Sequence, residues 1–246
     1  MSEWAAAEAD LETRLRKYGI PVALAVAYLF VKVGIGHFLL RTFLSMWVHE
    51  LGHATTAWMC GYLAFPGPWL TPTANDRSPM LALLLFAALA GGAFWFWRTG
   101  RRGVSVALGC LALVQMFCTL ALSADRARQL IYFMGDGGCL LLGTLLMLTL
   151  YAPEGSARKR DWLRWGFLGI GAAAFADAFE QWWAARSDQD RIPFGMNEGA
   201  GLSDPSMLSQ FGWSADQIVH RYVALGCVCL LVLAAAYVRG LRRLEA

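Results

Sequence analysis

The pentapeptide His49-Glu50-Leu51-Gly52-His53 holds the densest chemistry in the chain. Two histidines four positions apart project from one face of a helix, where neutral imidazoles can hold Zn²⁺. A glutamate one step after the first is placed to take a proton from a water at that metal. An HExxH string arises by accident in roughly one such sequence in a few hundred, so chance is a poor account of it. Its flanks, Phe43 to Trp47 before and Ala54 to Tyr62 after, are largely apolar. At membrane depth three ionisable side chains are costly unless they face a bundle interior and pair or bind metal.

A catalytic zinc takes three protein ligands and leaves one position open, so at least one more ligand is needed. Candidates in or near apolar segments are Asp136, Asp177, Glu180, His37 and His220. Asp136 lies in Phe133-Met134-Gly135-Asp136-Gly137-Gly138-Cys139, where the flanking glycines let backbone and neighbouring helices approach the carboxylate; it also reads as a helix cap. Asp177 and Glu180 continue a stripe Gly166, Gly169, Ala173, which reads as a packing face ending in acids near the membrane surface. His37, bracketed by Lys32 and Arg41, reads as interfacial, against the alternative of a bis-histidine haem with His220. His220 reads as a surface residue in the first turn of the last helix.

The elements that must position these residues follow from composition. Of 246 residues, 57% are hydrophobic and 16% charged, which predicts a polytopic all-α membrane helix bundle forming one integral-membrane domain over 1–246: a polar N-terminal segment 1–19, a bundle 20–238 and a basic tail 239–246. Segments long enough to cross about 30 Å of hydrocarbon run near Ile20–Leu40, Thr42–Leu63, Met80–Trp97, Val104–Ser123, Leu130–Ala152, Trp162–Trp183 and Ile218–Val238, giving six or seven spans. Only Arg41 separates the first two, which predicts a tight hairpin or a re-entrant segment. Basic residues recur at Arg98, Arg101 and Arg102, at Arg158, Lys159 and Arg160, and at Arg239, Arg242 and Arg243, and do not fix orientation.

Ser45, His49, His53, Thr56 and Cys60 form one small and polar stripe, expected to face protein, while Trp47, Leu51, Trp58 and Tyr62 cover the rest. Ala64 to Pro79 carries four prolines and reads as an extended or hairpin element beside that helix. Asp204-Pro205 reads as the N-cap and first residue of a short helix through Gln210. Ser214 with Gln217 reads as a capping box opening the last helix. The N-terminus lacks the pattern of a cleaved signal peptide. Six cysteines without a CxxC pair read as small core residues, and a net charge of +3 with scattered arginines gives no nucleic-acid footprint.

HELGH at 49–53 and GDGGCLL at 135–141 together resemble the site-2 protease family of intramembrane zinc metalloproteases, which carry HExxH in one membrane helix and an Asp-Gly motif in a later one. The resemblance implies His49, His53 and Asp136 as zinc ligands and Glu50 as general base. It implies a membrane-embedded protein or peptide as substrate, with the segment after Gly61 similar to that family's substrate-pairing hairpin. No segment corresponds to a PDZ domain. The expected setting is the lipid bilayer of a bacterial inner membrane. The rival reading is a non-enzymatic metal-binding membrane scaffold or transporter, which the lack of internal symmetry disfavours.

Overall fold

The computed structural model describes residues 3–152, 163–197 and 201–245. Helix α1 (Glu3–Lys32) runs through Pro21, so the polar N-terminal segment and the first apolar segment are one element. At Val33, in extended conformation, the chain bends by 118° into α2 (Gly34–Leu40). A π-helical stretch, Arg41–Ser45, joins α2 to α3 (Met46–Met59), the HELGH helix. The expected break at Arg41 therefore lies eight residues earlier.

Gly61 turns the chain with φ of 83°, a left-handed conformation that glycine adopts without steric cost. The predicted extended element is an antiparallel hairpin of β1 (Tyr62–Ala64) and β2 (Thr73–Arg77), with Tyr62 opposite Arg77 and Ala64 opposite Thr73. Arg77 pins it by donating to the carbonyls of Thr119 (3.0 Å) and Leu122 (2.8 Å). Next come α4 (Pro79–Arg98), α5 (Arg102–Leu120), α6 (Ala124–Leu148) and α7 (Leu163–Ala185). A small hairpin of β3 (Met196–Asn197) and β4 (Gly201–Leu202), not foreseen from sequence, leads into α8 (Asp204–Gln210) and α9 (Ala215–Glu245). The Ser214–Gln217 capping box is present, each side chain accepting from the other's backbone N–H at 3.2 Å.

Among the described residues four helical stretches are long and apolar enough to cross a membrane: Pro79–Arg98, Arg102–Leu120, Ala124–Tyr151 and Ala215–Arg242. The bent pair from α1 to α3 makes a fifth if it is one span. The expected six or seven is corrected to four or five. Two predicted segments merge into the bent pair, and α7, interrupted by Asp177 and Glu180, is less apolar. Protein covers the middle of α7: every residue from Gly171 to Ala178 is buried. By contrast α4 and α5 display Leu83, Phe94, Leu113, Phe117 and Leu120 outward, the surface a bilayer would cover. These helices define a helical membrane protein.

Glycines bring α6 and α7 together: a Cβ on Gly143 would lie 2.8 Å from the Gly171 carbonyl oxygen. The predicted stripe is displaced here, since Gly166 and Gly169 meet nothing within 4 Å. The basic group Arg158, Lys159 and Arg160 lies outside the described residues.

Candidate metal centre

The site is built where α3 crosses α6. A Cβ on Gly52 would lie 2.0 Å from the carbonyl oxygen of Met134, and one on Gly138 would lie 2.5 Å from the Cα of Gly52. Both positions must be glycine for the two backbones to meet. The Gly of HELGH and the last Gly of GDGG are thus the two sides of one contact, which sets the histidines against the Asp136 turn.

Asp136 accepts from His49 Nδ1 at 3.0 Å through one oxygen and from the indole N–H of Trp182 at 2.8 Å through the other. Trp182, fully buried, stacks on Tyr222 with ring centroids 4.2 Å apart, and Tyr222 stacks on Phe133 at 4.4 Å. Three helices therefore fix the plane in which Asp136 holds His49. His53 Nδ1 lies 2.7 Å from the carbonyl oxygen of Ile131, which can only accept. The proton on each ring is assigned by these partners to Nδ1, and a neutral imidazole then presents a lone pair at Nε2.

Those two Nε2 atoms are 3.1 Å apart. Facing both is a carboxylate oxygen of Asp204, at 3.2 Å from His49 and 3.1 Å from His53. Gly135 makes the space, because a Cβ there would sit 2.5 Å from His49 Cε1 and 2.6 Å from this oxygen.

Two sets of side chains could hold a metal, His49–His53–Asp204 and His49–Asp136–Cys139. In the first, three electron-pair donors form a nearly equilateral triangle. Tetrahedral zinc with bonds of about 2.0 Å sets its ligand atoms about 3.3 Å apart, so this donor set fits the ion in number, chemistry and spacing.

Glu50 is buried, and its side chain accepts from the Thr71 hydroxyl at 2.7 Å, a residue of the loop between β1 and β2. Among the described residues no Lys or Arg pairs with it. Both histidines, Glu50 and Asp204 line a cavity of about 390 Å³, roofed by Trp69 to Thr73 and bordered by Tyr132 and Arg128.

Of the sequence-derived residues, the structure brings together His49, Glu50, His53 and Asp136. Asp136, however, meets His49 at Nδ1, on the other side of the ring from the point where the Nε2 atoms converge. Asp204 is not the N-cap: Ser203 holds that position and the Asp204 side chain turns to the histidines. Asp177 is corrected too, because it is not solvated at an interface but 1% exposed, accepting from His37 (2.8 Å) and Arg41 (3.2 Å). His220 is exposed. Sequence reasoning missed the roles of Asp204, Trp182 and Thr71; the sole signal was an isolated acid before proline in a long polar connection. Neither known protein-family models, nor curated proteins, nor solved structures give a match to this chain.

Proposed function

We propose that this chain is a membrane-embedded zinc peptidase of the site-2 protease type, cutting peptide bonds of protein substrates that enter from the bilayer, with a bacterial inner membrane as its setting. One observation carries the reading: a triangle of donors with zinc-like edges of 3.1, 3.1 and 3.2 Å stands in the wall of a cavity that is also lined by Glu50, buried and paired with no Lys or Arg among the described residues. His49 and His53 would hold the ion with a carboxylate from the same cluster.

Zinc so held supplies a Lewis acid for the scissile carbonyl and lowers the pKa of a water towards about 7. Glu50 accepts the water's proton and passes it to the leaving amine. Thr71 fixes that carboxylate by a hydrogen bond, which keeps the base aimed along one direction. Asp136 and the Ile131 carbonyl keep both rings in the tautomer that donates through Nε2. A helical amide is screened by its own hydrogen bonds, so the substrate must unwind, and the hairpin beside α3 offers a strand edge to receive it.

The test compares purified wild type with Glu50→Gln, measuring zinc by mass spectrometry and cleavage of a membrane-helix reporter in liposomes. Both proteins should carry near-stoichiometric zinc, with cleavage by Glu50→Gln lower by about 10²–10⁴-fold. A zinc-free wild type, or undiminished cleavage without Glu50, refutes the proposal.

A further inference from the structure

We infer that Asp204, carried by the short helix α8, is the third metal ligand, and that Asp136 is a positioning residue which holds His49 from behind. The assignment rests on the zinc reading above and specifies its ligand set.

Four observations converge. The Asp204 oxygen is nearly equidistant from both Nε2 atoms, at 3.2 and 3.1 Å. Asp136 already accepts an N–H on each oxygen, from His49 and Trp182. Because Nδ1 and Nε2 point to opposite sides of an imidazole, a carboxylate bonded at Nδ1 cannot also complete a site at Nε2. Gly135 is the third: any side chain there would occupy the place of the Asp204 oxygen and of the His49 ring, so the first glycine of GDGG serves the incoming carboxylate.

The fourth is the way α8 is anchored. Pro205 and Leu208 are buried, the latter completely. The Ser203 N–H donates to the Gly195 carbonyl at 2.9 Å, and the Ser206 hydroxyl accepts from the Gly195 N–H at 2.8 Å. Gln129 on α6 donates to the Phe211 carbonyl just after the helix, at 3.3 Å. Asp204 is therefore presented by a braced element. The competing set, His49–Asp136–Cys139, offers one imidazole, and its thiol is already turned to Ser45, 3.6 Å from that carbonyl oxygen.

One consequence is specific to this arrangement. Two ligands come from α3 and the third from a helix that is not a membrane span, so metal binding ties α8 to the bundle. The test combines zinc affinity, by competition with a chelator, with hydrogen exchange of residues 204–210 in zinc-free and zinc-loaded protein. Wild type should show slower exchange in α8 when loaded. Asp204→Ala should lose more than about 100-fold in affinity together with that protection, and Asp204→His, which restores a ligand atom, should recover part of both. Asp136→Asn should weaken zinc by the roughly 10–100-fold of an outer-shell partner while keeping the α8 protection, with Asp136→Glu recovering affinity. Wild-type affinity in Asp204→Ala, or α8 exchange indifferent to zinc in the wild type, overturns the assignment. Loss of zinc in Asp136→Asn but not in Asp204→Ala transfers the role to Asp136 and leaves the peptidase reading standing. A wild type that binds no zinc at all sinks that reading itself.

Discussion

Two polar clusters lie inside one bundle, each with histidine and aspartate, and they are balanced differently. Around Asp177, every negative charge meets a positive one: Arg41 reaches Asp177 at 3.2 Å and also donates to Gln181, while Lys32 pairs with Glu180. Around His49, three carboxylates, Glu50, Asp136 and Asp204, are answered by imidazoles, one indole N–H and one hydroxyl, with no Lys or Arg among the described residues bonded to any of them. A cluster neutral by its own side chains is complete as structure. On the zinc reading proposed above, the three lone pairs that meet at one point in the second cluster are completed by a cation, and this separates an architectural cluster from a chemical one.

The sharpest way to break the comparison is to remove an imidazole. His49→Ala or His53→Ala should abolish stoichiometric zinc and cleavage, whereas Cys60→Ala on the same stripe should change neither; metal analysis of the three proteins decides. Asp177→Ala should do the opposite. It strands Arg41 against the core and should cost about 3–5 kcal/mol of stability, seen in thermal unfolding in detergent, while the purified folded fraction keeps its zinc. Equal zinc loss in the two classes of variant would erase the distinction.

Smaller effects sharpen it. Gly138→Ala places a methyl against the Gly52 backbone and should cost about 1–3 kcal/mol as α3 and α6 are pushed apart, with zinc affinity falling alongside. Thr71→Val removes the hydroxyl that donates to the carboxylate and to the backbone carbonyl of Glu50 and should lower cleavage about tenfold, the equivalent of roughly 1.4 kcal/mol, with zinc content unchanged. A drop in zinc in Thr71→Val would mean that the hairpin loop supports the metal and not the base.

How much of this the sequence displayed follows from the range of the interactions. HELGH, the hairpin after Gly61 and the Ser214–Gln217 capping box are local patterns, and their spacing carries their geometry, whereas Asp136, which also reads as a helix cap, lies in the middle of α6. Of the stripe Ser45, His49, His53, Thr56 and Cys60, all but the partly exposed His49 are buried, as the periodicity requires. Asp204 is different: it comes to within 3.2 Å of residues more than 150 positions earlier, and its own neighbourhood shows only a helix start. Trp182 is equally illegible, since a tryptophan in an apolar helix gives no hint that its N–H serves a carboxylate on another helix. The span count failed for a different reason. Two segments separated by one residue cannot be told from one bent element by hydropathy, and α7, whose apolar run is interrupted by Asp177 and Glu180, falls short of a span.

The π-helical stretch Arg41–Ser45 has a consequence for how the two clusters share one rod. Each residue in an α-helix turns the chain by about 100°, so one extra residue absorbed in a wide turn resets the angular phase of everything before it. His37 and Arg41 are thereby aimed at α7 while His49 and His53 are aimed at α6. Winding residues 41–45 at regular α pitch would swing the upstream bearings by about 100°, taking Arg41 from Asp177, whereas deleting one residue there would close the wide turn and leave both bearings nearly as they are. The rod works as an indexed shaft, and the wide turn is the setting that lets one helix address two partners.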